Sequence, residues 1–215
     1  RLVVHYAALQ NLYGVDEVLD AYNEGDADFH TIVADMAEIP REQAKTINLG
    51  LFYGMGKNKL QAELGVSKEK AEDLFKQYHN KVPFVKKLMD NVMQRAQSRG
   101  QIRTLLGRLC RFPLWEPSQF GIHKPLPHEQ AIQEHGPGIK RAFTYKALNR
   151  LIQGSAADMT KKAMIELHKE GITPHIQIHD ELDISVSNEA PKIKEIMEHA
   201  VSLEVPNKVD YESGP

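Results

Sequence analysis

The apolar residues of this chain change their period late in the sequence, and that change limits what the chain can fold into. From Phe143 to Glu170, Leu148, Leu151, Ile152, Met159, Ala163, Met164 and Leu167 recur at helical spacing, and Gly171 ends the run. From Pro174 to Ser187 the period falls to two. Ile176, Ile178, Leu182, Ile184 and Val186 alternate as a half-buried strand pair should, interrupted by His179, Asp180 and Glu181. On that alternation Asp180 shares the parity of Ile178 and Leu182, so it is expected on the buried face.

The earlier part of the chain reads mostly as helix. Phe29, Ile32, Val33, Met36 and Ala37 give helical spacing over 28–37. Pro40 suits a first helical turn, with a helix from Arg41 to Tyr53 stopped by Gly54. Ser67 is a candidate N-cap for a helix to about Tyr78, and Pro83 opens another that runs to Gly100. Gln101 to Pro113, with Gly107 at its centre, reads as a hairpin carrying Arg103, Arg108 and Arg111. Glu116 to Gly138 contains Pro117, Pro125, Pro127 and Pro137 and reads as a loop. Its His123, His128 and His135 are too irregularly spaced to suggest a metal site. Ala190 to Val201 is a final helix. Mostly helix with two late hairpins means α+β.

Composition narrows the function classes. Hydrophobic residues make up 41% and charged ones 26% of 215 residues, which excludes collagen-like, low-complexity and disordered chains. A single cysteine, Cys110, excludes a disulfide scaffold and a multi-cysteine zinc site. No run of about 18 apolar residues occurs, and no signal-like segment follows Arg1, so a cytoplasmic, non-membrane protein is expected. The net charge of -2 conceals two acid-free basic windows. Arg95, Arg99, Arg103, Arg108 and Arg111 fall in 91–115, and Lys140, Arg141, Lys146 and Arg150 in 135–157. Clustered cations of this kind grip phosphate backbones or else form solvated helix faces.

Two constellations carry chemistry. Arg41, Lys45, Leu49 and Tyr53 recur every four residues, which places them in one stripe about 18 Å long, comparable to an extended nucleoside triphosphate. The two cations lie nearest the helix N-terminus, where the dipole also favours phosphate. An ordinary amphipathic helix with its cations outside fits the same spacing. Asp180 and Glu181 form the second constellation: adjacent carboxylates on a tight turn suit Mg²⁺, and Asp is equally common in polar turns.

The run Arg41-Glu-Gln-Ala-Lys45-Thr-Ile-Asn-Leu49-Gly-Leu-Phe-Tyr53-Gly54 resembles motif B of family A DNA polymerases. Ile176-Gln-Ile-His179-Asp180-Glu181-Leu182 resembles motif C, and Asn149 to Asp158 resembles the primer-template helix. Thr104-Leu-Leu-Gly107-Arg108 is similar to the hairpin before that helix, Asp28-Phe29-His30 to the Asp-x-His before the fingers helix, and Arg1 to His5 to the tail of motif A. These motifs follow in order over essentially the whole chain.

The resemblance implies a DNA-directed DNA polymerase. Such an enzyme adds deoxynucleotides to a primer 3′-hydroxyl by two-metal phosphoryl transfer, in replication or repair. Asp180 and Glu181 would be catalytic Mg²⁺ ligands, the other carboxylate ligand lying upstream of Arg1. His30, Arg41 and Lys45 would hold the deoxynucleoside triphosphate, Lys45 also serving catalysis. Leu49 would face the sugar and Tyr53 gate the nascent base pair. Arg108, Asn149, Gln153 and His179 would contact primer-template DNA. The implied architecture is a truncated right-hand fold: about 24–100 mainly helical fingers, about 1–23 and 101–215 antiparallel-sheet palm, with the motif C hairpin at 174–187. Such a piece alone is expected to be inactive. Tyr145 stands where the family often has Arg, which puts duplex contact there in doubt. A non-catalytic nucleic-acid-binding remnant is the competing reading, and a metal hydrolase lacks a second cluster.

Overall fold

Among the residues that the computed structural model describes (1–25, 27–52, 57–119, 121–185, 188–212 and 214), the first hundred positions are helical. They form α1 (Leu2–Ala8), α2 (Asp16–Glu24), α3 (Phe29–Ala37), α4 (Arg41–Phe52), α5 (Lys57–Leu64), α6 (Lys68–Lys81) and α7 (Pro83–Arg99). Helix ends fall where residues can cap them. The Asp28 carboxylate accepts the His30 N–H at the start of α3, and the Ser67 hydroxyl accepts the Lys70 N–H at the start of α6, each at 3.2 Å. Pro40 lends its carbonyl to the N–H groups of Gln43 and Ala44 at the start of α4. α7 opens on Pro83 and closes at Gly100, whose φ of 68° is left-handed.

Three small antiparallel sheets follow. β1 (Gln101–Arg103) pairs with β2 (Leu109–Arg111). β3 (Leu114–Pro117) lies between β4 (Leu126–Pro127) and β5 (Ile139–Arg141), with α8 (His128–His135) in the connection. After a 3₁₀ turn at Thr144–Lys146 comes α9 (Ala147–Lys169), then the hairpin β6 (Ile176–Ile178) and β7 (Glu181–Asp183), and α10 (Ala190–His199). The fold is α+β, as expected.

Residues 116–138 are not a plain loop. Pro127 directly precedes α8 and Gly136 ends it, so the prolines frame structure there rather than exclude it. The helix buries Ala131 alone, so its sequence shows no apolar stripe. The long helix also starts later than its apolar pattern, because Phe143 takes a left-handed φ of 62° and the chain turns once more before Ala147. α1, α2 and α5 lie outside the segments whose spacing predicts helix.

The hairpin corrects the parity argument for Asp180. A two-residue turn sets residue 178 opposite 181 and 177 opposite 182. Odd positions on β7 therefore share a face with even positions on β6. Leu182 and Ile184 pack inward, whereas Ile176 and Ile178 stand 54% and 52% exposed beside Glu181 and Asp183. Asp180 lies exposed in the turn.

The main core joins α1, α2, α3, α6 and α7 to the root of α9 through Val4, Val18, Val33, Tyr78, Phe84 and Leu148. A second core of Leu167, Ile172 and Ile193 seats Leu182 and Ile184 of the hairpin region together with α10. At 1.5 Å per residue α9 is about 35 Å long, and it is the beam that ties the two cores together. Arg141 fastens α7 to the sheet region. Its Nε donates to the Gln97 carbonyl and one amino nitrogen to that of Phe112, each at 3.1 Å, while the guanidinium lies 4.4 Å above the Trp115 ring. A Cβ on Gly100 would come within 2.6 Å of that guanidinium carbon and push it off its partners, and the left-handed φ itself favours glycine there.

Candidate active site

Ala44, Ile47 and Asn48 turn one face of α4 into the core, which leaves Arg41, Lys45 and Leu49 on its exposed face. The stripe expected from the four-residue spacing is therefore present over these three residues; Tyr53 lies outside the described residues. α3 packs beside α4 and brings His30 to the same patch. The Asp28 carboxylate that caps α3 also accepts from the Thr31 hydroxyl and from Arg41 Nε, both at 2.8 Å, with a second Arg41 nitrogen at 2.8 Å. Arg41 is thereby aimed by a planar charge-assisted contact rather than left to solvent.

Burial opposes ionisation of Asp28, but it is outweighed by the hydrogen bonds from Thr31, Arg41 and the His30 amide and by the Arg41 charge. The carboxyl is held at about 2, below its ordinary value of 3.8. A folded value below the unfolded one stabilises the fold above the unfolded value. That stabilisation is lost as pH falls from about 4 through about 2. In urea unfolding across this window, Asp28→Asn should lose less stability than wild type; parallel acid limbs would show that the carboxylate is not held by Arg41.

His30 is tied inward as well. Asn48 Nδ2 lies 3.1 Å from His30 Nδ1, and the Tyr78 hydroxyl donates to Asn48 Oδ1 at 2.5 Å. In the sequence Asn48 is only one residue of the motif B run and Tyr78 only a helix end. Nothing in a lone Asn on an apolar face, or in a Tyr thirty residues away, announces the pair.

Asp180 and Glu181 sit at the hairpin turn, on a different packing unit from the α3–α4 patch, with His179 left-handed at φ 53°. Both side chains are exposed, and neither enters a salt bridge among the described residues. Two adjacent carboxylates give hard oxygen donors that fit Mg²⁺, although an octahedral ion needs further ligands from water, phosphate or another carboxylate. Among the described residues, no group of three His, Cys, Asp or Glu side chains converges on a metal position.

The hairpin of β1 and β2 is clamped onto α9. Ser155 accepts the Leu105 N–H at 3.0 Å and meets the Tyr6 hydroxyl at 2.7 Å. Asp158 accepts the Leu106 N–H at 3.3 Å and Arg108 Nε at 2.9 Å, while Arg108 also donates to the Gly154 carbonyl at 2.6 Å. A Cβ on Gly154 would lie 2.7 Å from the Thr104 methyl, so this glycine permits the close approach. Asn149 and Gln153 stand one turn apart on the same helix, Gln153 exposed.

The basic windows are only partly available for phosphate. Arg103 donates to the Gly107 carbonyl, Lys140 pairs with Glu116, and Arg150 lies over Phe112. Lys146 lies over Phe143, and Arg141 is the fastener already described. Arg95, Arg99 and Arg111 are exposed.

The α+β chain thus carries an exposed cationic helix face and, on a separate unit, a carboxylate-tipped hairpin. The sequence model for DNA polymerase family A matches residues 6–215, and the chain belongs to that family. Over its whole length it is 35% identical to a DNA-directed DNA polymerase of Pseudomonas phage M6, covering 36% of that protein. It is 34% identical, again over its whole length, to DNA polymerase I of Geobacillus stearothermophilus, covering 24% of it. The POL domain of Pol1 from M. smegmatis, solved in complex with DNA primer-template and dNTP, superposes on 97% of the chain. The TM-score is 0.71 at 28% identity, and the match covers 37% of that chain. This chain therefore spans well under half the length of the relatives it matches. No helix among the described residues is long and apolar enough to cross a membrane.

Proposed function

We propose that this chain forms the fingers and part of the palm of a templated DNA polymerase that extends a primer 3′-hydroxyl with deoxynucleotides. Residues of about 24–100 are mainly fingers, and about 1–23 and 101–215 palm. The observation that carries the reading is the gathering of exposed Arg41 and Lys45 with half-buried His30 at the N-terminal half of α4. Three phosphate-seeking groups and a helix dipole point the same way there.

In this reading Arg41, aimed by Asp28, and Lys45 hold the triphosphate with His30. Leu49, one turn further along the same face, meets the sugar, and Tyr53 follows at the base pair. Asp180 and Glu181 hold Mg²⁺. When bound, the ions supply Lewis-acid stabilisation of the transferring phosphoryl group and ease deprotonation of the primer hydroxyl. Asn149 and Gln153 from α9, with His179 from the hairpin turn, contact primer-template near its terminus. Arg108, half exposed while clamped to Asp158, meets backbone phosphate. Arg95, Arg99 and Arg111 add sequence-independent grip.

The test is primer extension by the intact polymerase with Lys45→Ala. A charge-assisted contact to phosphate corresponds to about a ten- to hundredfold loss in kcat/KM for the nucleotide. DNA affinity should stay near wild type, because its phosphate contacts lie elsewhere. Unchanged nucleotide dependence overturns the assignment.

A further inference from the structure

We propose that Tyr78 and Asn48 are positioning residues that hold His30 as the tautomer protonated at Nε2, so that it offers an N–H to the incoming triphosphate. This rests on the reading of the α3–α4 patch as the nucleotide site.

Asn48 and Tyr78 are both fully buried. A buried phenol must donate its proton, and the Tyr78 hydroxyl gives it to Asn48 Oδ1 at 2.5 Å. The amide oxygen is then occupied, so the amide presents its NH₂ to His30 Nδ1 at 3.1 Å. A ring nitrogen that faces a donor carries a lone pair. The proton of neutral His30 therefore sits on Nε2. Phosphate oxygens only accept hydrogen bonds, so this tautomer is the useful one and its reverse would set a lone pair against them.

Two further features agree. Burial is the main influence that pushes the His30 pKa down; Asp28 opposes it, and Arg41 and Lys45 add to it, which favours the neutral ring. Burial raises the Tyr78 pKa, which keeps the phenol a donor. The relay spans three helices: His30 on α3, Asn48 on α4 and Tyr78 on α6. Its fixed end is the buried phenol, and its working end is the half-buried imidazole.

The experiment uses the full-length polymerase with ¹⁵N-labelled histidine, the His30 signals being assigned by their loss in His30→Gln. In wild type, Nδ1 should be pyridine-like and Nε2 pyrrole-like. Tyr78→Phe keeps the ring but frees the amide to turn, so the reverse tautomer should appear. The KM for deoxynucleotide should rise about two- to tenfold, the usual worth of one hydrogen bond, with kcat within about twofold. Asn48→Asp still accepts from Tyr78 but sets a carboxylate against Nδ1, so Nδ1 should become protonated. A loss of packing alone would move neither nitrogen signature. A pyrrole-like Nδ1 in an active wild-type enzyme overturns the inference alone, as does Tyr78→Phe with tautomer and KM unchanged. A wild-type enzyme that synthesises no DNA overturns the polymerase reading and this inference with it.

Discussion

Asp180→Asn in the intact polymerase is expected to abolish nucleotide addition while DNA binding persists. The amide keeps the shape of the side chain and removes the charge that draws a hard cation. Metal stabilisation of a phosphoryl transition state amounts to several kcal/mol, so a loss on the order of a thousandfold or more in single-turnover rate is expected. Because the carboxylate is exposed in a two-residue turn, its removal leaves no cavity and no unpaired buried partner. The loss should therefore appear without a fall in unfolding midpoint. A gel-shift titration should give a near-wild-type DNA affinity, since phosphate contacts supply most of it. Near-normal turnover in the variant would mean that Asp180 binds no catalytic metal.

Phe84→Ala is expected to cost this chain about 3–5 kcal/mol, a large share of the stability of an ordinary domain. Phe84 is wholly buried near the start of α7 and meets the Phe29 ring edge-on, with centroids 6.4 Å apart at 69°. Phe29 is the first residue of α3, between the cap Asp28 and His30. The cavity would open against Phe29, whose chain neighbours are the cap Asp28 and His30. Urea unfolding measures the loss; a change under about 1 kcal/mol would show that the site collapses onto the smaller side chain.

What the sequence disclosed, and what it concealed, follows from the range of the interactions. The cap at Ser67, the start at Pro83 and the stop at Gly100 are local, and the structure has them where the residues put them. The exposed stripe of Arg41, Lys45 and Leu49 was legible because helical periodicity alone decides it. The face of Asp180 was not, because counting residues through a two-residue turn ignores that pairing reverses parity between the strands. The destinations of Arg108, Arg141 and Arg150 were hidden for a different reason. Each reaches a partner about thirty to fifty positions away, so a charge window seen in one dimension mixes fasteners with phosphate-gripping side chains. Asn48 and Tyr78 were hidden in the same way.

The Arg141 fastener has a consequence for how this part of the molecule tolerates change. By bonding the Phe112 carbonyl it closes the neck of an excursion running from 112 to 141, and β3 and β5 pair just beyond it. Beyond a closed neck, extra length adds only loop entropy, about 0.6 kcal/mol for each doubling. The fully exposed tip at Ile122 can thus be lengthened, shortened or fitted with a handle while α7 and α9 keep their places. Whatever varies at that tip is insulated from the helix that links the two cores, so the excursion is free to acquire partners of its own without retuning the machinery beneath it.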